Sequence, residues 1–210
     1  MGKIEITKKV LGICATNCYT VVDTETKEAL IIDPADRADV LIRDWKDKGV
    51  TPQAVLLTHG HFDHIGALTG VKKEYPDIKV YAAAKEKEVM ESPALNLSSS
   101  FGAAFTAQAD IYLEDGAEIE VLGRTCKCLL VPGHTKGGMC YYFPEENVVF
   151  TGDTLFCYSV GRTDFPTGDA KALEKAIREK LFALPDETLV LPGHDAQTMI
   201  GKEKKGNPYF

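Results

Sequence analysis

Short apolar runs bounded by Gly, Pro, Asp and charged residues recur along the chain. Runs of that kind read as buried strands. They predict strands over 3–10, 18–22, 29–32, 54–57, 78–81, 119–122, 127–131, 139–143, 148–150 and 189–191. Elsewhere the spacing is helical. Val40, Leu41 and Trp45 recur at helical intervals in a segment predicted over 35–48 and stopped by Gly49. Further helices are predicted from beyond the run at 54–57 to about Tyr75, over 85–90, over 170–182 and over 197–204. Strand-rich blocks with interspersed helices predict an α/β chain in which two sheets pack together and helices lie outside. No linker, low-complexity segment or short-period repeat breaks the pattern, so 1–210 is read as a single domain.

Composition narrows the function class. A formal net charge of −7 excludes a nonspecific nucleic-acid binder, which needs a basic face. No apolar stretch reaches the length of a membrane span, and Met1 to Glu5 leads directly into strand-like sequence. With no export signal, a cytoplasmic protein is expected. Cys14, Cys18, Cys126, Cys128, Cys140 and Cys157 mostly lie in apolar segments without a C-x-x-C pair, so they are read as reduced thiols filling core space. Cys126 and Cys128 are expected on one strand face.

The polar residues that interrupt the apolar runs carry the chemistry. Directly after 54–57 comes Thr58-His59-Gly60-His61-Phe62-Asp63-His64, with four metal-capable side chains within six residues. The two remaining histidines, His134 and His194, follow Pro-Gly after apolar runs, and Asp153 follows the run 148–150. A strand end suits such ligands, because the sheet holds the backbone while the loop aims the side chains. Five histidines with Asp63 and Asp153 make seven donors. One tetrahedral ion uses three or four ligands and leaves several donors unexplained. Two ions with three private ligands each and a bridging carboxylate use all seven, which is the arrangement of a dinuclear hydrolytic site.

The set His59, His61, Asp63, His64, His134, Asp153 and His194, in that order, resembles the metallo-β-lactamase-fold hydrolases and, within them, the short glyoxalase II (hydroxyacylglutathione hydrolase)-like branch. The motifs span 59–194, most of the chain. The resemblance implies a four-layer αβ/βα sandwich with the metals at one edge between the sheets. It implies one divalent ion on His59, His61 and His134, a second on Asp63, His64 and His194, and Asp153 between them. Zinc is the first expectation, with iron or manganese as alternatives. Asp63 and Asp153 are then the catalytic carboxylates that hold metal and attacking hydroxide, and the partner is a small-molecule thioester, with neither nucleic acid nor membrane. The runner-up is a persulfide dioxygenase of the same fold with a single iron. Such enzymes carry a run similar to Gly161-Arg162-Thr163-Asp164-Phe165 and tend to read P-A-H-D where this chain has Pro192-Gly193-His194-Asp195.

Three further stretches are placed from sequence. The turn-rich segment 92–102 is either a plain surface loop or a flank of the substrate cleft. The segment 160–169 is expected to support the site through an Arg162–Asp164 pair and a helix N-cap at Gly168 or Asp169. The tail from Lys202 to Phe210 stands where full-length glyoxalase II enzymes continue into a helical domain that helps hold glutathione, so recognition of the thiol is expected to be weak.

Overall fold

The computed structural model describes residues 2–210. One six-stranded sheet runs in sequential order through β1 (Ile4–Leu11), β2 (Thr16–Asp23), β3 (Glu28–Ile32), β4 (Thr51–Leu56), β5 (Lys79–Ala83) and β6 (Ile111–Leu113). The second comprises β7 (Glu118–Val121), β8 (Arg124–Leu130), β9 (Met139–Phe143), β10 (Val148–Gly152), β13 (Leu189–Pro192) and β14 (Thr198–Met199), in the order β14-β13-β10-β9-β8-β7. A two-stranded hairpin, β11 (Leu155–Phe156) with β12 (Ser159–Val160), follows β10. The helices are α1 (Ala38–Asp47), α2 (Phe62–Ile65), α3 (Leu68–Glu74), α4 (Lys87–Glu91), α5 (Ala170–Ala176) and α6 (Ile200–Gly206).

Side-chain alternation explains the layering. In β3, Ala29 and Ile31 join the cluster that holds Leu41 and Trp45 of α1 and Leu68 and Val71 of α3, while Leu30 and Ile32 face the second sheet. In β9, Met139, Tyr141 and Phe143 enter the core between the sheets, and Cys140 and Tyr142 pack with Leu173 and Ile177 beneath α5. Strands apolar on both faces need cover on both, and helices supply it outside each sheet. The result is the four-layer α/β/β/α arrangement. Cys126 and Cys128 share the inner face of β8, and all six cysteines are free.

The structure corrects several element boundaries. The helix predicted up to Tyr75 is two short helices. They part near Gly66, where an added Cβ would lie 2.5 Å from the Ala35 carbonyl oxygen, so the chain turns where it crosses Ala35. The first helix starts at Ala38 rather than Ala35, behind Arg37 at a φ of 54°. The strand expected over 54–57 begins at Thr51, and α5 widens after Ala176 into a π-helical turn over Ile177–Leu181. The segment 197–204 is an edge strand and then a helix. Sequence reading did not predict β6, β11 or β12, which are three, two and two residues long. Strands that short carry no readable alternation.

Candidate metal centre

Four strands end at one edge of the sandwich: β4 before His59, β8 before His134, β10 before Asp153 and β13 before His194. The halves are tied together at that edge. The Met139 N–H donates to the Thr58 carbonyl at 2.8 Å, the Tyr141 hydroxyl to the Leu57 carbonyl at 2.8 Å, and the Asn17 N–H to the Gly193 carbonyl at 2.7 Å. All seven predicted residues meet there. Ligand atoms of His59, His61 and His134 lie within 4.8 Å of one another, as do those of Asp63, His64 and His194. Asp153 reaches both groups: one carboxylate oxygen is 3.6 Å from His134 Nε2 and 3.3 Å from His194 Nε2, and the other is 3.3 Å from His64 Nε2.

Hydrogen bonds fix which ring nitrogens face inward. His134 Nδ1 donates to the Arg162 carbonyl at 2.7 Å, and its Nε2 faces His61 Nδ1 at 2.9 Å. The Thr58 hydroxyl donates to Asp33 Oδ2 at 2.6 Å and accepts from His59 Nδ1 at 3.2 Å. His64 Nδ1 donates to the same Asp33 oxygen at 2.8 Å. The Nε2 atoms of His59, His61 and His64 and one oxygen of Asp153 are thereby left buried without a hydrogen-bond partner. The orphans on His59, His64 and Asp153, beside the facing His61 Nδ1 and His134 Nε2, would be costly unless something satisfied them together. A divalent cation bound through imidazole and carboxylate does so, and the donor set fits one.

The titration behaviour of the metal-free cluster has the same origin. Burial pushes His59 well below the ordinary imidazole value and His61 down to about 3. Burial also acts against charge on His64 and His194, but the carboxylates outweigh it. Asp63, Asp153 and Asp33 hold His64 well above the ordinary value, and Asp153 with Asp63 raises His194 to about 9. Burial opposes the charge of Asp63 in turn, yet His64 and His194 hold it down to about 2. Two protonated imidazoles thus stand against the carboxylates when no metal is bound.

The sequence profile of the metallo-beta-lactamase superfamily matches residues 11–194. The chain belongs to the metallo-beta-lactamase superfamily. It is 38% identical over 202 residues to the "Probable metallo-hydrolase YqgX" of Bacillus subtilis, covering 95% of this chain and 94% of that protein. It is 35% identical over 200 residues to the "Hydroxyacylglutathione hydrolase GloC" of Haemophilus influenzae, covering 92% of each. Among solved structures, "BLEG-1 B3 metallo-beta-lactamase" aligns with a TM-score of 0.92 and 40% identity over 98% of this chain and 99% of that one. "TTHA1623 in a di-iron-bound form" aligns with a TM-score of 0.86 and 36% identity over 97% and 100%. "ETHE1 from Myxococcus xanthus" aligns with a TM-score of 0.81 and 31% identity over 97% and 83%.

The superfamily fold places three residues at this centre that sequence reading left unassigned. Asp33, at a φ of 49°, receives the Thr58 N–H at 2.8 Å in addition to its bonds from Thr58 and His64. Thr16 donates to Asp63 Oδ2 at 2.7 Å. Glu86 is fully buried; one of its oxygens receives the Gly60 N–H at 2.7 Å and the other the Gly137 N–H at 2.8 Å. It therefore ties the loop carrying His59 and His61 to the loop carrying His134. Glycine suits both positions, because an added Cβ would lie 2.7 Å from the Glu86 nitrogen at Gly137, and 2.8 Å from Met90 Cγ and 3.1 Å from Glu86 Oε2 at Gly60. The Asp33-Pro34 strand end was the available signal for Asp33. Glu86 had none, since its partners are 26 and 51 residues away.

The supporting stretches behave as expected or are resolved. Arg162 forms a two-point pair with Asp164 at 2.7 Å for both contacts, stacks its guanidinium 3.8 Å above the Phe165 ring, and supplies the carbonyl that holds His134. Asp169 caps α5 by accepting from the N–H groups of Lys171 and Ala172. The segment 92–102 flanks a cleft, through Ser98 and Phe101. In the tail, Lys204 pairs with Asp186 at 2.6 Å, and Phe210 packs edge-on against Phe182 at 4.8 Å. Among the described residues no helix is long and apolar enough to cross a membrane.

Proposed function

We propose that this chain is a metal-dependent hydrolase of small-molecule thioesters, hydroxyacyl-thiol conjugates above all, working with two divalent cations of which zinc is the first choice and iron or manganese the alternatives. The observation that carries the reading is that Asp153 lies within 3.6 Å of histidines of both ligand triads. His59, His61 and His134 would hold one ion, Asp63, His64 and His194 the other, with Asp153 shared. Bound cations would polarise the substrate carbonyl and make water acidic near neutral pH.

The chain's own residues do the remaining work. Thr16 fixes one oxygen of Asp63, and Asp33 and the Arg162 carbonyl fix the rings of His64 and His134, so the centre is oriented before substrate arrives. Hydrolysis replaces the C–S bond by the C–O bond of a carboxylate, and the sulfur departs as thiolate. Thiols are acidic enough that no dedicated proton donor is needed for that departure. The partner is accordingly a small molecule, with no role for nucleic acid or membrane, and a cytoplasmic location suits it.

The Gly161-to-Phe165 run keeps the single-iron persulfide dioxygenase as a second reading. One experiment separates the two: turnover of lactoyl-glutathione, lactoyl esters of smaller thiols, a β-lactam and a persulfide, with metal content and oxygen uptake measured on the same preparation. Thioester turnover with close to two ions per chain is expected. One iron per chain with oxygen-dependent persulfide consumption and no thioester cleavage would replace this reading by the second.

A further inference from the structure

A cleft of about 290 Å³ opens directly onto Asp63. Its walls come from three separate parts of the chain: Ile13 on the turn between β1 and β2, Phe62 at the start of α2, and Phe101 and Phe105 on the long loop before β6. Phe62 and Phe101 are stacked, with ring centroids 4.8 Å apart and planes at 17°. Ile13 is 78% exposed and Phe101 50% exposed, so two large apolar side chains face solvent across the mouth of one cleft. Single exposed apolar residues are ordinary, but their convergence beside convergent polar ligands is the composition of a small-molecule pocket.

Charge selects among ligands. The charged groups lining the cleft are the carboxylates of Asp36 and Asp63, with no lysine, arginine or histidine among the described lining residues. Asp63 belongs to a ligand triad, and Asp36 lines the cleft with its Oδ1 receiving the Arg37 N–H at 2.6 Å. Beyond the metal-binding end at Asp63, a thiol carrier bearing carboxylates or phosphates finds no side-chain cation here to offset its desolvation. An uncharged apolar group does not need one.

We infer that this cleft is the acyl pocket and that it selects an uncharged apolar acyl substituent, aromatic or branched, while the charged thiol carrier extends away from it. The inference rests on the thioester-hydrolase reading and narrows its substrate class. Small thiol carriers in general bear the charges of the conjugate, so the uncharged end that suits Ile13, Phe62 and Phe101 is the acyl end. Stacking against the Phe62–Phe101 pair favours a flat ring in particular.

The test compares acetyl and phenylacetyl thioesters of one thiol at equal metal loading, in wild type and in Phe101→Ser and Ile13→Ser. Both positions are half or more exposed, and thermal melting of each variant verifies the fold. Wild type is expected to favour phenylacetyl by about tenfold or more in kcat/KM, and each variant to cut that ratio by roughly threefold or more. A second series holds the acyl group at acetyl and changes the thiol from methyl to benzyl. A preference appearing there instead of in the acyl series overturns the assignment, as does an equal rate across both series. A third arm uses metal-free protein and 3-phenylpropionamide, followed by backbone amide NMR. Shifts confined to residues 12–15, 62 and 98–105, weakened in Phe101→Ser, are expected. Their absence overturns the cleft whatever the kinetics show. Shifts without turnover of any thioester overturn the hydrolase reading and the acyl assignment with it, and leave only an apolar binding site.

Discussion

The Asp33 carboxylate accepts from His64 Nδ1 at 2.8 Å while the two residues lie 31 positions apart in the chain. This contact turns His64 Nε2 toward Asp63 and Asp153, 3.5 and 3.3 Å away. Replacement by Asn presents an amide N–H to His64 Nδ1–H, which favours the opposite tautomer and places a proton on the inward nitrogen. Asn tolerates the positive φ at this position, so the backbone is a minor complication. Asp33→Asn is expected to weaken one of two cation sites by about 10- to 100-fold. Competition with a chromogenic chelator measures it, and wild-type affinity at both sites would remove Asp33 from that role.

Gly193 permits the approach of Asp153 to His64. A Cβ there would lie 2.4 Å from Asp153 Oδ1 and 2.7 Å from His64 Cε1, so both side chains would have to move. Gly193→Ala is expected to drop metal content from about two ions to about one per chain and to cost at least about 100-fold in thioester turnover. The resulting Pro-Ala-His-Asp sequence is the one that persulfide dioxygenases tend to carry. Elemental analysis decides the matter, and retention of two ions with normal turnover would show that the site accommodates the methyl group.

Glu86 acts on two loops at once. Burial raises its carboxyl above the ordinary value, against the pull of the Gly60 and Gly137 N–H donors. Glu86→Gln replaces one acceptor with a donor and leaves an N–H facing an N–H. The expected loss is about 1–3 kcal/mol of stability in the metal-free protein, read by denaturant unfolding, together with weaker binding at His59, His61 and His134. The exposed Glu88 provides the control, with Glu88→Gln expected within about 0.5 kcal/mol of wild type. Equal effects from both substitutions would show that Glu86 ties nothing together.

Proton release reports on the second triad. His194, raised to about 9, and His64, held above the ordinary 6.5, carry protons in the metal-free protein at pH 7. His59 and His61 are already neutral there. A cation on Asp63, His64 and His194 must displace protons, so its affinity should rise with pH up to about 9. The sign for the metal-free fold is opposite. The stabilisation from protonated His194 is complete below 6.5 and is lost as pH rises through about 9. Zinc titration in weakly buffered solution should release more than about one proton per chain at pH 7. No release would mean that the histidines are neutral before binding.

The grouping of the candidate donors was legible because they are rare residues placed after apolar runs. Five histidines, all in turns or short segments that follow apolar runs, point to a metal centre without any three-dimensional information, and the donor count of seven points to two ions. Alternation within β3, β8 and β9 likewise encoded which side of each sheet is buried, since period-two patterning is a property of the extended chain itself. The orientation of those donors was not legible. It comes from Asp33, Thr16, Glu86 and the Arg162 carbonyl, groups of common type whose partners lie 25 to 51 residues away, and their role exists only once the two sheets face each other. The cleft of Ile13, Phe62 and Phe101 has the same character. Its members lie on separate loops without a shared pattern, and only packing at the edge of the sandwich brings them together. A local pattern records local geometry, whereas the position of one loop against another is set by the closing of the whole core.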